Sequence, residues 1–283
     1  MNDPLLPHLL DIITDPASEG LILTGGFGIR IKQASLRATE ARTLIPVFPE
    51  ARATQDLDFF LSLSLFVQKE RGTAVRALFD RLQYTEYTPQ YQFGKPFRSE
   101  NPEPKVKIDL LARSPSPEEG IRVKGPRVGS GAGIELHGRE TPEGFAVEER
   151  LLAIPVSGAR SDGQEVTAQV LVPHPYAWIN LKVKAAHDWL RMERGEIARK
   201  PNSEKHAFDV YVLTAMLTES ELEAMEEVRA PYWNTPIRSE IQNYAFDLFG
   251  SEQSQGFQTV VQQANVPTDY ATFYEALRSV LGS

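Results

Sequence analysis

The chain of 283 residues contains no cysteine. That one absence removes disulfide staples, thiolate nucleophiles, iron–sulfur clusters and cysteine zinc sites together. The five histidines, at 8, 137, 174, 187 and 206, lack the paired spacing of a histidine zinc site. No apolar run approaches the roughly 18 residues that a membrane helix needs, so no membrane partner is expected. Met1-Asn2-Asp3-Pro4 has no basic segment, and Pro7, His8 and Asp11 interrupt the short apolar run around them, which is not the pattern of a secretory signal. Positive charge is also in short supply: 30 Lys+Arg face 38 Asp+Glu, a formal net charge of −8. This charge balance argues against a protein that coats nucleic acid non-specifically, but not against a local basic patch that grips it. With 41% apolar and 24% charged residues the chain can build a buried core, and a cytoplasmic globular protein is expected.

Apolar periodicity organises what is there. Residues 5–15 carry Leu5, Leu9, Leu10, Ile12 and Ile13 at helical spacing, stopped by Asp15-Pro16. Leu21-Ile22-Leu23 reads as a buried strand running into the turn Thr24-Gly25-Gly26. A helix over 28–40, a loop bounded by Pro46 and Pro49 and a second strand, Asp56-Leu57-Asp58-Phe59-Phe60-Leu61, follow. Residues 72–83 place Val75, Leu78, Phe79 and Leu82 on one helix face. Tyr91 to Phe93 and Val106 to Leu111 read as the strands of a hairpin. From 114 to 144 the composition turns to Ser, Pro, Gly and Glu, a loop with one short strand at 133–137. Strands return at 150–156 and 166–172, and helices fill 176–194, 203–217, 219–228, 236–249 and 268–281. The expectation is α+β: a mixed-sheet domain over 1–172 followed by a helical domain over 173–283.

Three carboxylates fall on these strands. Asp56 and Asp58, two apart, project from the same face. Asp109 interrupts an otherwise apolar strand, where an unpaired carboxylate would be costly to desolvate. If the two strands are neighbours the three converge, and an oxygen-only cluster suits Mg2+ ions that hold a triphosphate and an attacking hydroxyl in line. Gly25-Gly26, between a strand and a helix, lets backbone amides approach a phosphate. No Gly-Lys-Ser/Thr follows, so this is not a P-loop, and Gly28 does not complete a dinucleotide fingerprint.

Strand–Gly25-Gly26–helix, then Arg52-x-Thr54-x-Asp56-x-Asp58, then Asp109 on a later strand, resembles the DNA polymerase β-like nucleotidyltransferase superfamily. Within it the chain is most similar to the AbiEii/AbiGii toxin-like nucleotidyltransferases. Ile179-Asn180-Leu181-Lys182-Val183-Lys184-Ala185-Ala186 is similar to that family's Leu-Lys-x-x-Ala helix. Lys205-His206-Ala207-Phe208-Asp209-Val210-Tyr211 is similar to its Lys-Asp-x-x-Asp-hydrophobic-Tyr segment, with His206 in place of an acidic residue. Gly26 and Asp56 stand thirty apart, which implies an insertion over 36–52 that lengthens the first helix. The resemblance implies a nucleotidyltransferase fold and transfer of NMP from an NTP to an acceptor hydroxyl. Asp56 and Asp58 would bind Mg2+, and Asp109 would bind metal and draw the hydroxyl proton. Gly25 and Gly26 would seat the triphosphate, Lys182 would counter its charge, and Asp209 would orient Lys182 or the acceptor. It further implies a tRNA 3′ end as acceptor, in the toxin of a toxin–antitoxin or phage-defence pair with an antitoxin partner.

Other readings stand beside these. The same site could serve a small-molecule or protein hydroxyl, or the fold could bind a nucleotide or partner without catalysis. Asp56 and Asp58 could be solvent-facing strand residues, Lys182 and Lys184 surface lysines, and Lys205 with Asp209 an ordinary i,i+4 pair. Arg52 and Thr54 could only shape the turn into the strand. Gly129-Ser130-Gly131-Ala132-Gly133 reads as a hairpin tip, and Trp178, Trp189 and Trp233 as core or interdomain packing. Over 182–206 the basic residues, among them Arg191, Arg194, Arg199 and Lys200, outnumber the acidic ones, which suits a solvated helix face or an RNA backbone.

Overall fold

In the computed structural model residues 3–96, 105–129, 133–195 and 202–282 are described. The chain divides into two compact units, one of Met1–Ser35 with Ala53–Pro173 and one of Leu36–Arg52 with His174–Ser283.

The first unit opens with α1 (Leu6–Ile13), β1 (Leu21–Leu23) and α2 (Gly25–Ala38), the helix through which the chain leaves the unit. After its return come β2 (Asp56–Leu61), α3 (Ser64–Val67), α4 (Lys69–Arg81), β3 (Thr85–Thr88), β4 (Gln92–Pro96) and β5 (Lys105–Ala112). The short strands β6 (Val123–Lys124), β7 (Arg127–Val128) and β8 (Gly138–Glu140) precede the hairpin β9 (Leu152–Ala159) and β10 (Glu165–Val172). The main sheet runs β1-β2-β5-β8-β7-β6, and β4, with β3 beyond it, pairs with the first part of β5. β2 and β5 are parallel, and β1 is antiparallel to β2.

Alternation fixes what each face does. Leu57 and Phe59 of β2, Phe93 of β4 and Ile108 and Leu110 of β5 are buried, while Asp56, Asp58 and Asp109 on the other face are half-buried. α4 covers the apolar face, with the Phe79 ring 5.1 Å from that of Phe93. Gly72 lets this helix come close to Ile134 and the Leu65 carbonyl, where a Cβ would clash. On the carboxylate face Phe60 is covered by Gly144, so the open part lies on the Asp58 side of it.

Several boundaries differ from the sequence reading. The helix after the glycine pair is Gly25–Ala38, so the insertion adds little helix and is otherwise irregular. The expected strand at 133–137 is a bend: Ile134 and Leu136 alternate and are buried, but the paired strand is β8, just beyond. β3 precedes the expected hairpin, whose connecting residues 97–104 lie outside the described ones. Residues 130–132 of the glycine-rich segment also lie outside them.

The second unit holds α5 (Pro175–Gly195), α6 (Asn202–Ala215), α7 (Glu219–Arg229), α8 (Pro236–Phe249), α9 (Gln255–Gln263) and α10 (Tyr270–Leu281). α9 is not legible in the sequence as a separate helix. α5 and α6 are packed together, with Trp178, Val183, Val210 and Leu213 fully buried. Phe249, Phe257 and Phe273 form an aromatic cluster with ring centroids 5.3 and 5.9 Å apart. Trp233 is 44% exposed rather than a core residue, with Arg238 over its ring at 4.1 Å. The excursion 36–52 packs here too: the Leu44 and Ile45 amides donate to the Leu217 and Ala215 carbonyls at 2.8 and 3.2 Å.

Candidate active site

Parallel pairing of β2 with β5 sets Asp58 directly opposite Asp109 and Asp56 opposite Lys107. Neighbouring strands lie about 4.8 Å apart, so the three carboxylates share one patch of one face. On its other side Asp109 faces Gln92 of β4, whose side-chain amide donates to Asp109 Oδ1 at 2.6 Å. Burial is the main reason that the Asp109 carboxyl is held above the usual carboxylate range. The Gln92 amide opposes that shift, and the neighbouring Asp56 charge adds to it. Sequence reasoning passed over Gln92; its only signal was a polar residue between Tyr91 and Phe93 on a strand.

The glycine turn is seated on the same carboxylates. The Thr24 amide and hydroxyl both donate to the Asp58 carbonyl, at 2.7 and 3.1 Å. Gly25 follows with φ +63°, and a Cβ there would fall inside the Asp58 carboxylate. Glycine is therefore required at 25 twice over, by conformation and by contact. Gly26 is buried without a positive φ and enters the helix. The first-turn amides of α2 have no helical acceptor, and amides so placed are suited by type to an anion.

The donors fit a hard divalent cation by type, being carboxylate oxygens alone. As they stand, no group of three His, Asp or Glu side chains among the described residues is arranged to hold a metal ion. Binding one would need the carboxylates of Asp56, Asp58 and Asp109 to turn toward each other.

The second unit gathers a different set. Lys182 of α5 donates to Asp209 Oδ2 of α6 at 2.7 Å, and both are buried. Arg52, part of the motif before Asp56 with turn shaping as its alternative reading, closes on the same carboxylate with two bonds of 3.1 Å, a bidentate clamp. His206 stands in this neighbourhood with its Nδ1 buried and unpartnered among the described residues. Burial drives its pKa far down, and the charges of Lys182, Lys205 and Arg52 lower it further, so the ring is neutral. Lys184 pairs instead with Asp188 at 2.5 Å. Of the expected basic region, Arg199 and Lys200 lie outside the described residues, and the side chains of Arg191 and Arg194 are not described. A cavity of about 470 Å³ between α8 and α10 is lined by residues such as Gln242, Phe246, Tyr274 and Arg278, with no carboxylate among them.

A mixed sheet with a glycine turn docked on adjoining strand carboxylates defines the nucleotidyltransferase fold class. A model of the nucleotidyl transferase AbiEii toxin family, of type IV toxin–antitoxin systems, matches residues 9–282, and the chain belongs to that family. It is accordingly a nucleotidyltransferase of the toxin type. No curated protein matches the chain. Among the described residues no helix is long and apolar enough to cross a membrane.

Proposed function

We propose that this enzyme transfers NMP from an NTP to the 3′-terminal hydroxyl of tRNA in the cytoplasm, as a toxin whose effect a cognate antitoxin counters. The observation that carries the site assignment is the register that sets Asp58 beside Asp109, with Gly25 seated on Asp58. Asp56, Asp58 and Asp109 would hold Mg2+, which supplies charge neutralisation on the triphosphate and in-line alignment of the attacking and leaving oxygens. The amides of Gly25 and Gly26 bind phosphate oxygens at the start of α2. Asp109 accepts the hydroxyl proton; the acceptor oxygen bonds to the α-phosphorus, the bond to the bridging oxygen breaks and pyrophosphate leaves. Gln92 fixes its orientation. Lys182 counters triphosphate charge, and Asp209, clamped by Arg52, orients Lys182.

The test is incubation with each α-labelled NTP, Mg2+ and total RNA, followed by gel separation. Label is expected in tRNA, and Asp58→Asn is expected to reduce it below a tenth with thermal unfolding unchanged. Label in protein alone would replace tRNA with a protein acceptor, and an active Asp58→Asn variant would overturn the site.

A further inference from the structure

Beyond β5 the carboxylate face carries a row of cations. Leu111 of β5, two residues from Asp109 and on the same face, is the cross-strand partner of Arg139 in β8. Arg139 is paired with Arg127 in β7, and Arg127 with Lys124 in β6. Three like charges thus stand directly opposite one another on three neighbouring strands, an arrangement that costs stability unless something anionic offsets it. No ion pair among the described residues offsets it. Arg139 and Lys124 are exposed and form no ion pair with a described residue, and Arg127 reaches only the side-chain oxygen of Gln90, at 3.5 Å. Elsewhere in this unit Arg76, Arg81, Arg113 and Arg160 are each paired with a carboxylate.

The position of the row matters as much as its charge. The glycine turn that would seat the triphosphate follows β1, at one end of the sheet, and the cation row occupies the other end, β8-β7-β6. The carboxylates lie between, on β2 and β5, and Arg139 is close enough to Asp109 for its charge to be felt there. From β5 to β6 there are three inter-strand steps of about 4.8 Å, or roughly 14 Å, enough for a few consecutive phosphates of one strand. A donor triphosphate and a polyanionic acceptor would approach the carboxylates from opposite sides. Building on the nucleotidyltransferase reading above, we propose that Arg139, Arg127 and Lys124 hold the phosphodiester backbone of the acceptor, a nucleic-acid strand whose 3′ end lies at Asp109.

The test uses the full chain with Lys124→Ala and Arg127→Ala together, a Lys124→Gln/Arg127→Gln pair should alanine impair folding, and Arg127→Lys as the charge-retaining control. Binding of total tRNA is followed across a salt series, with Mg2+–NTP binding and labelled transfer measured in parallel. The double variants should bind RNA about tenfold or more weakly, with the slope of log K against log salt lowered by about 0.7 for each phosphate no longer neutralised. Arg127→Lys should keep the wild-type slope, and NTP affinity should be unchanged throughout. Wild-type RNA affinity and slope in the double variants would remove the row from acceptor binding while leaving the transferase reading intact. Poly-glutamate displacing RNA as well as a competitor RNA of equal charge would overturn the nucleic-acid assignment in favour of an acidic protein. RNA binding that depends on the row, in a wild-type chain that neither binds NTP nor transfers label, would overturn the transferase reading instead.

Discussion

At Asp209 two cations share one carboxylate, and the arithmetic of that cluster separates a structural from a functional lysine. Asp209 is 2% exposed and takes one bond from Lys182 and two from Arg52. Removing it strands the buried Lys182 ammonium and the half-buried Arg52 guanidinium, and breaking a buried pair such as Lys182–Asp209 costs about 3–5 kcal/mol. Asp209→Ala should therefore lower the melting temperature sharply. Lys182→Met leaves Asp209 still clamped by Arg52, so its stability cost should be well under half as large. If Lys182 also counters triphosphate charge, Lys182→Met should raise the NTP KM by tenfold or more, equivalent to about 1.4 kcal/mol of binding free energy. An unchanged KM in a folded Lys182→Met variant would reduce Lys182 to a packing partner of Asp209. Lys184, two residues along α5 from Lys182 and tied to Asp188, serves as the comparison: Lys184→Met should alter neither quantity.

Among the elements, the excursion 36–52 does what neither its composition nor the resemblance indicated. α6 ends at Ala215, and the last carbonyls of a helix need partners from outside it. The Ile45 amide supplies one to Ala215, the Leu44 amide supplies one to Leu217, and the Ile45 side chain is buried with them. Ile45→Pro deletes one donor and an apolar anchor, so it should cost about 1–3 kcal/mol. Hydrogen exchange should accelerate at the carboxy-terminal amides of α6 but not in β2 or β5; equal acceleration in both units would mean that the excursion is not a local cap. Such long-range capping leaves no mark in local sequence, which is why 36–52 reads there only as an insertion. β2 and β5 are legible because their apolar residues alternate with charged ones, a pattern with period two that survives without knowledge of partners. Asp58 facing Asp109 rested on the strands being neighbours, which spacing alone does not supply. Gln92 and Arg52 are illegible as site residues because each acquires its partner only through tertiary pairing, one across a strand and one across 157 positions of chain. The strand at 133–137 failed for the converse reason: alternation of Ile134 and Leu136 records burial, and burial without a paired neighbour is not a strand.

Across the whole molecule, each unit contains a half-buried histidine held in its neutral form, and this couples both to acid in the same direction. His8 is pushed down to about 4, chiefly by burial and then by the Lys95 charge, against a partial counter-effect from Asp11. His206 in the second unit is lowered by burial and by Lys182, Lys205 and Arg52. In the unfolded chain both rings take up a proton near 6.5, so between there and the folded values the unfolded state binds more protons. The stability contributed by the neutral rings is thus fully present above about pH 6.5 and is lost as the pH falls toward 4. Asp15, lowered despite its burial by the Ala17 amide and Arg81, loses its contribution below the carboxylate range and extends the decline. The half-buried Asp109 works the other way, since its raised pKa makes the folded chain hold a proton more readily than the unfolded one. With His137 also lowered, chiefly by burial, three histidines against one such carboxylate make a net loss the expected result. The melting temperature should fall steadily from pH 7 to pH 5, and His8→Gln, which keeps a polar side chain near Tyr84 without a titratable ring, should flatten that fall. The measurement is thermal unfolding at half-unit pH steps on both proteins. A melting temperature that is level, or rises, between pH 7 and 5 would mean that these rings are reached by water and protonate without opening the fold.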